Sequence, residues 1–260
     1  MAFGQVIAVT GLNYGYPGKV SRMGDRVIAS RQVLSTTANP ITFGSPVVIV
    51  TDCYQSVADY IAGIPTGNAA FTAALFAGIA VAEVTTTLAP GTGWPYSPGS
   101  PSPASYLQGT MAEALERGSL TLYIQPAATG SFVSQAPLYI RVAPNATYSS
   151  ALVGGFEVAP DAAVNTTGTA SSGSTAVTLA SGTGVVVGQI VTGTGIAPGT
   201  AVKAIAGTAL TLSQNTTASL STTALNFAST VQIPGLVLRT GAGQDSNGAA
   251  EATILNRVAA

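Results

Sequence analysis

The 260-residue chain has no histidine, a single cysteine, and only nine basic and ten acidic side chains. Each shortage closes a class of function. Catalysis draws on titratable or ligating side chains gathered in a cleft with tuned pKa values, and that raw material is nearly missing. Without histidine a Ser-His-Asp triad is impossible. A Ser–Lys variant would have to use Lys19 or Lys203, neither of which stands in a Ser-x-x-Lys context. Cys53 has no cysteine to pair with and no histidine to activate it, so it reads as a small buried apolar residue. The formal net charge of −1 provides no basic footprint for phosphates, which argues against a nucleic-acid partner. No enzyme, cofactor or metal site is expected.

Membrane insertion also finds no support. The segment Met1-Ala2-Phe3-Gly4-Gln5-Val6 lacks a basic stretch followed by an apolar one, so no secretory signal is read. The longest apolar run, 69–82, is interrupted by Thr72 and falls short of the roughly 20 residues a spanning helix needs.

What remains is Gly, Ala, Ser, Thr and Val. The chain is 47% hydrophobic with a mean hydropathy of +0.43, whereas disordered chains are low in hydrophobicity and high in charge. Charged residues make up 7% of the chain, against roughly 25% in ordinary soluble domains. A surface so poor in charge has little self-repulsion and suits a protein that lives in an assembly.

Residues 1–35 open with Gly and Pro at spacings that forbid a helix and predict an extended arm leading into the first strands. Lys19, Arg22, Arg26 and Arg31 cluster there beside Tyr14 and Tyr16. Two readings stay open for this strip. Tyr and Arg are enriched at protein interfaces, and a strand edge with solvated charges has the same composition.

Residues 36–161 read as strands separated by turns. Pro46–Val50 and Ala77–Val84 are β-rich runs, and Leu120–Gln125 and Leu138–Val142 alternate apolar and polar residues with the period of a half-buried strand. Met111–Arg117 predicts one or two helical turns stopped by Gly118. Pro90–Pro103, with Trp94 and Tyr96, is a proline-rich contact loop.

Residues 162–228 change character, with Lys203 as their only charge. Apolar positions recur at strand spacing through a Thr/Ser/Gly-rich background, and a hairpin is predicted near Ala206-Gly207. This is read as an inserted small β module. From 229 to 260 the earlier style returns, with strands at Val231–Arg239 and Ala250–Arg257.

Motifs with apparent chemistry fail on context. The glycines of 193–199 are mis-spaced for a dinucleotide loop and no helix follows. The run 245–248 lacks the other ligands of a calcium loop. Glu113 and Glu116 read as surface acids rather than a glycosidase pair.

One set of motifs does carry information. Phe3-Gly4-Gln5-Val6, Gly11-Leu12-Asn13-Tyr14-Gly15 and Pro17-Gly18-Lys19-Val20-Ser21-Arg22 are followed by Phe76–Val81, Arg117–Leu120 and Asp245–Glu251. In this order they resemble the phage structural cement, or capsid decoration, protein family, over residues 1–160 and 229–260. The resemblance implies an all-β, jelly-roll-like β-sandwich core with an extended N-terminal arm (1–35) and a discontinuous capsid-binding domain (36–161 and 229–260); the small β domain inserted at 162–228, read as projecting, departs from the family pattern. It implies a non-enzymatic protein on the outer capsid surface of the virion, made in the host cytoplasm. Its partners would be the major capsid protein and further copies of itself, as a dimer or trimer. Tyr14, Tyr16, Lys19, Arg22, Arg26 and Arg31 are the candidate contact residues. A surface adhesin or glycan binder working through 162–228 is the alternative.

Overall fold

The computed structural model describes residues 17–21, 26–36, 38–81, 105–106, 108–125, 132–144, 152–239 and 248–256. The chain is all-β, with one short α-helix and two single 3-10 turns, Ile64–Thr66 and Ala73–Leu75, among the described residues. The first strands are β1 (Val27–Gln32), β2 (Ile41–Thr42), β3 (Pro46–Val50) and β4 (Cys53–Ser56), followed by helix α1 (Val57–Ala62). Next come β5 (Phe76–Ala80), β6 (Ser105–Tyr106), β7 (Met111–Tyr123), β8 (Pro137–Arg141) and β9 (Phe156–Glu157). Six strands then close a barrel: β10 (Val164–Ala170), β11 (Ala176–Leu179), β12 (Ile190–Thr192), β13 (Thr200–Ala206), β14 (Ala209–Leu212) and β15 (Leu220–Ala228). Strands β16 (Thr230–Leu238) and β17 (Ala249–Ile254) return to the first part of the chain.

That first part, with β16 and β17, forms a body built on one curled sheet in the order β4-β3-β5-β7-β17-β16-β8-β9, with β1 also pairing β7. β7 is the spine. Its first half pairs β1 on one side and β5 on the other, and its second half pairs β17. Gly118, at φ 127°, lies between the halves in backbone space that a side chain rarely tolerates. The helix predicted over Met111–Arg117 is therefore corrected: the segment is the start of this 13-residue strand. Its intrinsic helix preference loses to hydrogen-bonded partners on both sides, as tertiary context routinely overrides propensity.

Helix α1 had no counterpart in the sequence expectation. Ser56 caps it by accepting a hydrogen bond from the Asp59 N–H at 3.1 Å. Asp59 is itself buried and accepts from Thr36 and from Gln55 Nε2. The helix lays Val57 and Ile61 on the main core, with Leu115, Leu120, Leu122, Ile140, Phe156 and Ile254. A smaller core of Val33, Ile41, Val47, Tyr54, Ala112 and Ala114 fills the β1–β4–β5 end, where Val33 bridges Tyr54 and brings the chain after β1 back to β4.

The barrel follows from period-2 patterning. Val177 and Leu179 of β11, Leu210 and Leu212 of β14, and Leu225 and Phe227 of β15 point inward and are buried. Their polar neighbours face out. The interior is narrow: a Cβ at Gly168 would lie 2.7 Å from Leu225 Cδ1 and 2.9 Å from Val177 Cγ1. The β13–β14 hairpin turns at Gly207-Thr208, with Ala206 opposite Ala209 and Gly207 at φ 60°.

The barrel sits where the two ends of the body sheet approach each other. Gly154, just before β9, packs against Ala58 of α1, which follows β4. Gly188 of the barrel fits between Ile61 of α1 and Val142, which follows β8. Along the sheet, β3 and β5 separate β4 from β7, and β8, β16 and β17 separate β9 from it.

Candidate functional site

Three of the six predicted contact residues lie among the described residues: Lys19, Arg26 and Arg31. Tyr14, Tyr16 and Arg22 lie outside them, as do Trp94, Tyr96 and the rest of the proline-rich loop. The described three line the flank of β7. The Gly18 N–H donates to the Thr121 carbonyl at 2.9 Å, the Thr121 N–H to the Lys19 carbonyl at 2.9 Å, and the Ser21 N–H to the Ser119 carbonyl at 3.0 Å. Residues 18–21 thus continue, beside the second half of β7, the pairing that β1 makes with its first half. Lys19 lies beside Thr121, Arg26 immediately precedes β1, and Arg31 is opposite Ala112. At about 3.3 Å per residue, the strip runs roughly 30 Å along the strand.

This flank is mixed in sign. Glu113 lies opposite Ser30, and Glu116 is the extra residue of a β-bulge, because Ile28 pairs Leu115 while Val27 pairs Arg117. Ser21 Oγ donates to Glu251 of β17 at 2.7 Å. Lys19 is exposed. Arg31 is half-buried: its guanidinium lies 5.9 Å from the Tyr54 ring centroid, and its Nη1 is 3.4 Å from the Asp52 carboxylate. Asp52 is exposed, and with Thr51 it forms the β3–β4 turn at φ 61° and 46°, a left-handed conformation that costs non-glycine residues energy.

The charge cluster that sequence reading missed lies elsewhere. Arg141, at the end of β8, is 1% exposed; Glu157 is 0% and Asp161 8% exposed. Arg141 spends all five donors. Nε and Nη2 reach Glu157 at 2.5 and 2.8 Å, Nη1 and Nη2 reach Asp161 at 2.6 and 2.9 Å, and Nη1 also donates to the Ala143 carbonyl at 3.3 Å. Burial pushes the Glu157 carboxyl above its ordinary value, and Arg141 pulls it back only in part. Burial alone would lower the Arg141 pKa, but the hydrogen bonds to Asp161 and Glu157 raise it instead. The cluster is satisfied within itself and presents no reactive group to solvent.

The other surfaces carry little chemistry. A groove of about 520 Å³ is lined by Pro40, Ala58, Ile61, Pro144, Leu152 and Val187 among others, with no charged side chain. Among the described residues no group of three His, Cys, Asp or Glu is placed to hold a metal. Within the barrel, Phe227 is fully buried, which leaves residues 162–228 without an aromatic platform for a sugar ring.

The described chain is thus an all-β protein, a body with a mixed charged strip and a barrel that carries a single charge. The family model described as "Structural cement protein (E217 gp24/Pam3 gp6)" matches residues 5–190, more than half of the chain, and the chain belongs to this family of phage structural cement proteins. The match extends through β10 and β11 to the first residue of β12. No curated protein matches the chain. Membership gives it a capsid-stabilising structural role and a place on the capsid of a phage virion.

Proposed function

We propose that the protein binds the outer surface of the assembled capsid through the strip along β1 and β7 and bridges neighbouring copies of the major capsid protein. The contact residues are Lys19, Arg26 and Arg31, joined by Tyr14, Tyr16 and Arg22. In this reading residues 1–35 are the arm and first strands of a jelly-roll-like capsid-binding domain (36–161 and 229–260). Residues 162–228 project from it, and the protein acts as a dimer or trimer. Bridging stabilises by linkage: a ligand that binds only the assembled shell shifts the equilibrium toward it. Several modest contacts per particle add through effective concentration.

The observation that carries this reading is the position of Lys19, Arg26 and Arg31 along the flank of β7, on the body and not on the barrel. The charge distribution supports it too, because the barrel contributes one charge and the body the rest.

The test is cosedimentation with purified capsids. The combined variant Lys19→Glu, Arg26→Glu, Arg31→Glu is expected to stay in the supernatant while retaining the far-ultraviolet circular dichroism of the native protein. Wild-type attachment should weaken with added salt, as exposed charge contacts do. Undiminished attachment by the folded variant would overturn the proposal.

A further inference from the structure

The barrel joins the body by two connections, and Arg141 touches both. Its backbone is paired with Thr230, the first residue of β16, which leads out of the barrel. Its side chain holds Asp161, which leads into β10, together with Glu157 of β9. Such a link would be costly to build as a loose tether: a buried guanidinium needs every donor satisfied, and here every donor is.

Further contacts hold the barrel and its exits against the body. The Val142 N–H donates to the Ser229 carbonyl at 2.8 Å, and Gln189 Nε2 donates to Ser229 Oγ at 3.1 Å. The Ala70 N–H donates to the Gly199 carbonyl at 3.2 Å. Ala201 of β13 is buried in the core of the body, while its neighbour Val202 is buried in the barrel. At Gly188 the fit is close: a Cβ would meet the Val142 carbonyl oxygen at 2.6 Å, and φ is 93°.

We propose that Arg141, Glu157 and Asp161 form a clamp that fixes the barrel at one angle to the body, so that the barrel is rigidly displayed and not flexibly tethered. Arg141 is the positioning residue. The clamp rests on contacts inside this chain and stands whether or not the β1–β7 strip binds the shell.

Two measurements test it. In the wild-type protein, ¹⁵N relaxation should give Leu210 and Val202 of the barrel the same rotational correlation time as Leu120 and Ala250 of the body. A clearly shorter time for the barrel would overturn the proposal. In Asp161→Asn, which leaves the Glu157–Arg141 pair in place, hydrogen exchange at the junction amides of Ala70 and Val142 should accelerate roughly tenfold or more. Leu210 and Leu120 should exchange as before, since local opening need not involve the global fold. Unchanged exchange at Ala70 and Val142, or equal acceleration throughout the chain, would contradict the clamp.

Discussion

The body and the barrel solve the same problem with opposite materials. The barrel closes its sheet, so no strand edge remains, and it holds itself with one apolar core and a nearly uncharged surface. The body curls an open sheet, keeps almost all of the charge, and buries one complete ion cluster at its join to the barrel. A closed unit with a single charge offers few charged contacts. An open, charged sheet with a flanking strip has contacts to offer. The proposed capsid contact follows this difference and is assigned to the body.

The comparison can be broken from either side. The largest effect is expected at the cluster. Arg141→Met leaves two buried carboxylates without their cation, and loss of one partner of a buried pair costs about 3–5 kcal/mol, measurable by urea denaturation. The loss should depend on pH. Glu157 is already raised by burial, and removing Arg141 raises it further. A carboxyl whose folded pKa exceeds its unfolded value contributes stability below the unfolded pKa and loses it as pH rises through the folded one. The deficit should therefore be greatest near neutral pH and shrink on acidification. A pH-independent deficit would count against the cluster as described.

Phe227→Ala opens the barrel core and should cost about 3–5 kcal/mol, as burial of that ring predicts. Its denaturation profile should report loss of the barrel, while capsid attachment persists. Ser56→Ala removes the cap of α1 and should cost about 1 kcal/mol in the body's transition. Asp52→Ala removes the partner of an exposed ion pair and should change stability by less than about 1 kcal/mol. A large loss there would mean that the Thr51-Asp52 turn holds more than its geometry shows.

Much of the architecture was legible because β structure writes itself at short range. Val177/Leu179 and Leu210/Leu212 alternate within four residues, and Gly207 marks its hairpin. Met111–Arg117 misled because its residue types favour a helix, while the partners that make it a strand lie far off in sequence, at Val27–Gln32 and Ile79–Ala80. The apolar and polar alternation after Gly118 was the available warning. The Arg141 cluster gave no local signal at all: Glu157 and Asp161 lie 16 and 20 residues away, and only the sheet order brings them together. The strip was visible as composition, but its placement along β7, interleaved with Glu113, Glu116 and Glu251, needed the fold.

The most direct test of a body that binds and a barrel that is carried is to remove the barrel. Val164 pairs with Phe227, so its two ends are neighbours and a short glycine linker can rejoin 163 to 229. Cosedimentation with capsids should show the shortened protein attaching as well as the full chain. A shortened protein that keeps its body folded, by circular dichroism and cooperative unfolding, yet no longer attaches would contradict the account.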